Sequence, residues 1–201
     1  MGVAERKLRQ KEEVRSKILD AAWDLAKTDG WQALSIRKIA DAIEYSVPVV
    51  YDHFENKEAI LFEISSNGFA LLLKKLQEVA KKHSQPEDLL REIANAYWNF
   101  AFKNKEYYQL MFGLGMPCCE SSETNSVSVC DAFEALVGDA IKKLGTRKNK
   151  KDLNEVYFKT QAYWSLLHGL IALKIINMAG EKDFFNKKIM EDAIGSFINN
   201  L

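Results

Sequence analysis

The sequence predicts an all-α protein, and three observations favour this fold class. The 201 residues include only 3 prolines and 10 glycines, so few positions interrupt a helix. Apolar residues recur at intervals of three and four, the spacing of one helix face. No run of alternating β-branched residues is bounded by turn signals, as a strand would require. With 47% hydrophobic residues the chain can bury a core, in one large domain or two small ones.

The first three predicted helices form a compact N-terminal group. Apolar residues at helical spacing run through residues 5–29, and Gly30 stands where a glycine would end that helix. Ser35 and Ser46 are placed as N-caps of two short helices separated by a brief turn. Two such helices cannot be collinear and need the first helix to cover their apolar sides. The pattern therefore predicts a helix followed by a helix-turn-helix.

Six further helices complete the predicted outline. Asn56 can cap a helix that runs to about Lys82 and is about 40 Å long. The remaining helices are predicted at about 86–100, "KEYYQLMF", 130–144, 153–178 and 183–197. We place one domain at residues 1–55, which contains the helix-turn-helix, and a second domain at residues 56–201. The sequence thus predicts a nine-helix architecture.

Charge and hydropathy exclude several classes of protein. The formal net charge is zero, but the first 17 residues carry six basic against three acidic residues, a local charge of +3. This charged start is unlike a secretory signal. The most apolar stretch, "AYWSLLHGLIALKIINMAG", contains Ser165, His168, Lys174 and Asn177, which argues against a membrane span. We expect a cytoplasmic protein without a membrane partner.

The three cysteines do not indicate a disulfide framework. Cys118, Cys119 and Cys130 are odd in number, and none has a histidine at a usual zinc spacing. Reduced thiols are expected, with a redox or metal role as the minority interpretation. The sequence also lacks a glycine-rich phosphate loop and any Ser/His/acid set beyond chance. We therefore predict neither an enzyme nor a resident cofactor or metal.

One segment resembles a known family. The stretch "SIRKIADAIEYSVPVVYDHFENKEAIL", and within it Ser46, Tyr51, His53, Phe54 and Lys57, is similar to the helix-turn-helix of the tetracycline-repressor (TetR) family of bacterial transcriptional regulators. The nine-helix outline agrees with that family. The resemblance implies a homodimer that binds a pseudo-palindromic operator and responds to a small-molecule effector.

A second resemblance lies in the C-terminal half. "AYWSLLHGLIAL" resembles the Trp-x-x-x-His-Gly signature of one subgroup, with Trp164, His168 and Gly169 at the matching positions. "YYQLMF" has a similar counterpart there. This match implies a C-terminal domain of that subgroup.

The third predicted helix has two distinct sides. At 100° per residue, Val50 and Phe54 face inward, while Pro48 and Val49 face outward with Val47 at the edge. Methyl-bearing side chains at the N-terminal end of a recognition helix can contact thymine methyl groups, so we predict such contacts here. The alternative is that these side chains only fit against the groove.

Polar DNA contacts are predicted for residues that precede this helix in the sequence and for residues at and beyond its end. Arg37 could pair with guanine, and Lys38 could reach a phosphate or remain a solvated charge. The resemblance implies phosphate contacts for Tyr51, His53 and Lys57. The complete predicted DNA-binding set is Ser35, Arg37, Lys38, Ser46, Val47, Pro48, Val49, Tyr51, His53 and Lys57.

Two departures from the family pattern concern the turn before this helix. Glu44 stands where the family usually has glycine, and Tyr45 where it has a small apolar residue. If the turn is left-handed, Glu44 is strained by about 1 kcal/mol. Acidic neighbours also lower the charge of the module, so we expect a modest affinity for DNA or one that depends on the basic N-terminal arm. These features leave a rival open, an all-α ligand-binding or sequestering protein whose DNA-binding module is degenerate.

The C-terminal half is rich in large apolar side chains that could form a core or line an effector pocket. The predicted ligand-binding set is Phe69, Trp98, Phe100, Tyr107, Tyr108, Met111, Phe112, Trp164 and His168. For His168 a buried, hydrogen-bonded structural role ranks before ligand contact. The last two helices are apolar on more than one face, and Gly169 in mid-helix suggests close approach of another helix. We predict a homodimer through these two helices and a small, largely apolar effector.

Overall fold

The computed structural model describes residues 2–113, 129–145, 153–176 and 183–201. Within these ranges it contains nine α-helices, one 3-10 turn at Trp31–Ala33 and no strand, so the all-α prediction is confirmed. The helices are α1 (Val3–Asp29), α2 (Ile36–Ala42), α3 (Val47–Tyr51), α4 (Lys57–Lys82), α5 (Pro86–Lys103), α6 (Lys105–Gly113), α7 (Val129–Gly145), α8 (Leu153–Ile176) and α9 (Asp183–Asn199).

Two helix boundaries follow from the residues predicted to set them. Gly30 follows α1 with a φ of 81°, and its amide donates to the Ala26 carbonyl over 2.9 Å. This left-handed φ suits a residue without a Cβ atom. Asn56 caps α4, because its Oδ1 accepts a hydrogen bond from the Ala59 amide at 2.8 Å.

Close contacts divide the described chain into two compact units. The first unit contains residues 2–68 and 106–113, and the second contains residues 69–105, 129–145, 153–176 and 183–201. This division reflects packing, and the functional boundary after residue 55 remains a prediction.

The first unit has a core shared by α1 to α4 and α6. Ile18, Ile39, Val50, Ile60 and Leu110 are all fully buried there. Because one apolar residue from each of these five helices meets in the same core, the two short helices α2 and α3 gain the burial that their own length cannot provide.

Within this unit α6 is fixed to α1 and the following turn. The Trp31 indole donates to the Glu106 carbonyl over 2.9 Å. The rings of Trp23 and Tyr107 lie 4.2 Å apart between centroids. Gly68 of α4 permits a close approach, since a Cβ atom there would lie 2.7 Å from the Tyr107 ring and 2.8 Å from Met111 Sδ. The segment after α5 therefore packs as part of the N-terminal unit.

The second unit packs α5 against α7, α8 and α9. The buried Tyr163 hydroxyl donates to the Leu90 carbonyl, and burial raises the pKa of this phenol. Phe133 contacts the Trp164 ring edge-on at 4.6 Å. In contrast, Phe158, Leu173 and Ile189 keep 68%, 61% and 53% of their surface exposed. The last two helices therefore bury one side and leave apolar side chains exposed on another.

The structure bears on the expected absence of a membrane span and, in part, on the cysteines. None of the helices among the described residues is long and apolar enough to cross a membrane. Cys118 and Cys119 lie outside the described residues, and Cys130 falls in the first turn of α7. Reduced thiols therefore remain a prediction.

Candidate DNA-binding interface

Helix α2 begins as the sequence predicts. Ser35 is its N-cap, and its hydroxyl accepts a hydrogen bond from the Lys38 amide at 3.3 Å. Ile39 and Ala40 point into the core, whereas Arg37 and Lys38 are exposed. Among the described residues nothing holds the Arg37 guanidinium, but the Lys38 ammonium pairs with Asp29 at 2.9 Å. Arg37 is therefore open to a ligand, while Lys38 joins α2 to the end of α1.

The turn between α2 and α3 keeps a glycine-type conformation despite Glu44. Glu44 has a φ of 59°, in the left-handed region that favours glycine. The Tyr45 amide donates to the Ala40 carbonyl over 3.0 Å, and the Glu44 amide to the Asp41 carbonyl over 3.3 Å. These two bonds form a Schellman motif, which closes the C-terminus of α2. The expected strain at Glu44 is therefore present, and the turn geometry is retained.

The predicted side-chain cap at Ser46 is wrong. Ser46 occupies the N-cap position of α3, but its hydroxyl makes no cap hydrogen bond. The reason lies in the next residues: Pro48 has no amide hydrogen, and the Val49 amide instead donates to the Ser46 carbonyl over 3.0 Å. Ser46 is exposed, so water can hydrogen-bond to its hydroxyl.

The two sides of α3 agree with the predicted orientation. Val50 is fully buried and Phe54, just beyond the helix, is 4% exposed. Pro48 and Tyr51 are exposed on the other side, Tyr51 by 53%. Val47 and Val49 are partly exposed. Packing thus fixes this five-residue helix and leaves its apolar N-terminal end and its tyrosine outward.

A cluster around Arg15 fixes the residues that follow α3 and was not predicted from the sequence. The guanidinium donates to the His53 carbonyl over 3.1 Å, pairs with Glu63, and lies 4.3 Å from the Phe54 ring centroid. These contacts join α1, the residues after α3, and α4. The two-partner geometry and stacking suit arginine rather than lysine. No periodicity could have paired Arg15 with Glu63, 48 positions later.

The remaining predicted DNA contacts lie at the edge of this cluster. His53 is partly buried, and its Nδ1 is buried without a hydrogen-bond partner among the described residues. Lys57 is the first residue of α4 and is partly exposed. All ten predicted DNA-binding residues therefore lie between Ser35 and Lys57, in one module of the first unit.

The predicted ligand-binding residues are divided between the two units. Four belong to α6 in the first unit: Tyr107, Tyr108, Met111 and Phe112. Five belong to the second unit: Phe69, Trp98, Phe100, Trp164 and His168. Tyr108, Met111 and Phe100 are at most 3% exposed, which is equally expected of core residues. Their role in binding a ligand remains a prediction.

Burial affects the protonation of His168. Burial lowers the pKa of His168 below 6.5, so the neutral imidazole is favoured. Its side chain is partly buried, and both roles considered for it, structural and ligand-binding, remain predictions. Among the described residues no three His, Cys, Asp or Glu side chains converge as a metal site would require.

Comparisons with known proteins agree with this architecture. A profile described as "Bacterial regulatory proteins, tetR family" matches residues 18–64, and one described as "Tetracyclin repressor-like, C-terminal domain" matches residues 90–185. The HTH-type transcriptional regulator YobS of Bacillus subtilis is 23% identical over 92% of this chain and 90% of its own.

Solved structures show the same fold. The TetR family regulator PfmR of Thermus thermophilus has a TM-score of 0.67 and 20% identity, covering 90% of this chain and 97% of its own. FadR of Bacillus subtilis, solved in complex with stearoyl-CoA, has a TM-score of 0.65 and 12% identity, covering 92% and 95%. The two profiles describe parts of one family and together match more than half of the sequence. The chain therefore belongs to the TetR family of DNA-binding transcriptional regulators.

Proposed function

We propose that the protein is a ligand-responsive repressor that binds a pseudo-palindromic operator as a homodimer and leaves it when a small, largely apolar molecule binds. The observation that carries this proposal is the outward surface of α3. Val50 and Phe54 anchor the inner side of the helix in the core, while Pro48 and Tyr51 are exposed. A helix presented in this way can enter a major groove with its N-terminal residues toward the bases.

Each predicted DNA-binding residue has a role that its chemistry permits. Val47, Pro48 and Val49 contact thymine methyl groups, and Arg37 pairs with guanine. Ser35, Ser46, Tyr51, His53 and Lys57 donate to phosphate oxygens. Lys38 contributes less, because Asp29 already pairs with it. For His53, the ring nitrogen that donates is Nε2, since Nδ1 is buried.

The rival proposal is a sequestering protein with a degenerate DNA-binding module. Residues 35–58 contain three basic and five acidic residues, which favours the rival. The turn argues against it, because Glu44 at a φ of 59° preserves the Schellman geometry that glycine would give. A module that had lost its role would not need to keep a strained residue in this conformation.

A second copy of the chain is proposed as the partner of α8 and α9. Phe158, Ala162, Gly169 and Leu173 recur at helical spacing on α8, and Phe158 and Leu173 are 68% and 61% exposed. A Cβ atom at Gly169 would meet nothing within 4 Å among the described residues. The helix that we expect to approach Gly169 closely is therefore proposed to belong to a second copy of the chain. A two-fold pairing of α8 and α9 would cover this surface and relate two recognition helices.

The effector is proposed to act through α4 and α6. Helix α6 packs on α1 through Tyr107, so a ligand that moves this helix changes the surroundings of the DNA-binding module. Because FadR of Bacillus subtilis was solved with stearoyl-CoA, an acyl-CoA is the first probe. The DNA-binding domain is proposed to end at residue 55 and the ligand-binding and dimerisation domain to take residues 56–201.

An electrophoretic mobility shift on DNA from immediately upstream of the protein's own gene tests the proposal. We expect salt-sensitive binding by the native protein and a loss of about 5- to 150-fold for Arg37→Ala, the range of one bidentate base contact. Tyr51→Phe should also weaken binding, whereas Lys82→Ala in the last turn of α4 should not. Stearoyl-CoA should release the complex. Salt-insensitive or absent binding by the native protein would support the sequestering protein instead.

A further inference from the structure

We propose that the N-terminal extension of α1 is a second DNA-binding element, which grips the phosphate backbone beside the recognition helix through Lys7 and Lys11. This inference rests on the proposed DNA-binding function and adds residues that the helix-turn-helix does not contain. The extension comprises residues 3–13 of α1, all of them exposed.

The module itself carries too little positive charge for a DNA-binding surface. Between residues 35 and 58 five acidic residues outnumber three basic ones, and the ammonium of Lys38 is already paired with Asp29. Binding of duplex DNA depends on neutralising phosphates with lysine or arginine. Further cations from another part of the protein would strengthen such binding.

The extension supplies cations on one face. Lys7, Lys11, Val14 and Ile18 follow each other at intervals of four, three and four, so they share one side of α1. Ile18 is fully buried in the core of the first unit and Val14 is partly buried. This side of α1 is thus apolar at Val14 and Ile18, where the helix packs on the core, and basic at Lys7 and Lys11, where the helix is exposed.

The opposite side of the extension is acidic. Glu5, Arg9, Glu12 and Glu13 share that side by the same spacing, and Arg9 pairs with Glu13 at 3.9 Å. Glu5 accepts a hydrogen bond from the Gly2 amide at 2.9 Å and so caps the helix. Charge is therefore segregated over most of the extension, because Glu5 and Glu12 lie on the side away from Lys7 and Lys11.

This basic face is continuous with the proposed DNA interface. Lys11, Val14 and Lys17 line a groove of about 480 Å³ together with Tyr45, Asp52 and His53. His53 is a proposed phosphate contact, and Tyr45 directly precedes the N-cap of α3. Lys17 lies 5.9 Å from the centroid of the Tyr45 ring, which places a further cation at this edge. Asp52 and Glu13 also line the groove, so the cations of α1 offset their charge there.

The occupant that fits this surface is the DNA backbone flanking the half-site. A row of ammonium groups on a helix gives phosphate contacts that do not depend on the base sequence. Each contact makes the slope of log affinity against log salt concentration steeper by about 0.9. A dimer with two such extensions would contribute four contacts, so the slope of log affinity against log salt should steepen by about 4.

Fluorescence anisotropy tests the inference. The affinity for a random-sequence duplex of about 30 base pairs is measured between about 50 and 200 mM KCl, a range over which phosphate contacts make the affinity fall steeply. Lys7→Gln with Lys11→Gln should make the slope shallower by about 4. The matched control, Arg9→Gln with Lys82→Gln, removes the same charge from the opposite side of the extension and from the last turn of α4, and should change the slope by less than about 1. Lys7→Arg with Lys11→Arg should retain the native slope.

Circular dichroism should show the same helix content in all three double variants, because Gln and Arg are good helix formers. Native slopes for Lys7→Gln with Lys11→Gln, or equal losses for the two Gln pairs, would overturn the role of this face. If the native protein bound no duplex at any salt concentration, the proposed DNA-binding function would fail as well.

Discussion

The two units of the chain differ in what their exposed apolar side chains mean. In the first unit two exposed aromatic residues, Tyr45 and Tyr51, lie beside or on a helix whose other side is fixed by a closed core. In the second unit Leu173 and Ile189 are exposed on long helices that are apolar on several sides. The first surface suits a groove between polar phosphates, whereas the second suits another apolar helix pair. We therefore expect a different partner for each unit.

The largest expected effect would break the proposed interface of the second unit. Leu173→Glu would bury one carboxylate from each protomer in the proposed dimer interface. An unpaired buried charge costs about 3–5 kcal/mol. We expect the dimer dissociation constant to rise by at least about 100-fold, measured by light scattering after size exclusion.

The control for that experiment lies on the same helix. Tyr157 is 55% exposed but stands on the opposite side of α8 from Leu173. Tyr157→Glu should leave the dimer intact. A native-strength dimer in Leu173→Glu would mean that this face of α8 is not the interface.

The next effect concerns close packing in the first unit. Gly68→Ala would bring a Cβ atom to 2.7 Å from the Tyr107 ring, so α4 and α6 must move apart. Such overpacking costs about 1–3 kcal/mol, which urea denaturation would detect as a lower midpoint.

Gly138→Ala in the second unit sharpens that comparison. A Cβ atom at Gly138 would have ordinary contacts at 3.5 Å to Thr160 and 3.7 Å to Val156. Alanine there should stabilise the protein by up to about 1 kcal/mol through helix propensity. Equal responses of the two glycines would show that α4 and α6 are not packed as tightly as described.

A smaller effect is expected at the strained turn. Glu44→Gly removes the Cβ atom that disfavours a φ of 59° and should stabilise the protein by about 1 kcal/mol in urea denaturation. Glu44→Gln keeps the strain and removes only the charge, so it should leave stability nearly unchanged. If the Gln variant were stabilised as much as the Gly variant, charge rather than backbone strain would be the cause.

The smallest effect concerns His168 in the second unit. Its pKa in the folded protein is lowered from 6.5 by burial, so the unfolded chain binds a proton more readily. The corresponding stability is complete above about pH 6.5 and is lost as the pH falls through the folded pKa. Between about pH 7.5 and 5.5 the melting temperature of the native protein should fall more than that of His168→Gln. Parallel decreases would mean that His168 does not contribute.

The sequence predicts the first unit better than the second because local rules determine more of it. Ser35, Asn56 and Gly30 act where capping chemistry places them. The exception at Ser46 arises because neither of the residues at 48 and 49 offers its hydroxyl an amide donor. Local patterns could not reveal the pairing of Arg15 with Glu63, because the fold alone brings these residues together.

The candidate sites differ in the same way. The predicted DNA-binding residues fall within one short motif, so their spacing in the sequence is already informative. The ligand-binding candidates are large apolar residues, and Tyr108 and Phe100 are buried as ordinary core residues also are. Composition cannot separate a pocket lining from a core, since both are made of the same side chains.

The central claim is that a two-fold pair of recognition helices binds DNA through the outward face of α3. Hydroxyl-radical footprinting on the DNA upstream of the protein's own gene tests it most directly. We predict two protected half-sites related by two-fold symmetry, with centres about one helical turn or a multiple of it apart, and their loss in Tyr51→Phe with Arg37→Ala. Unprotected DNA, or a footprint unchanged in that double variant, would contradict the claim.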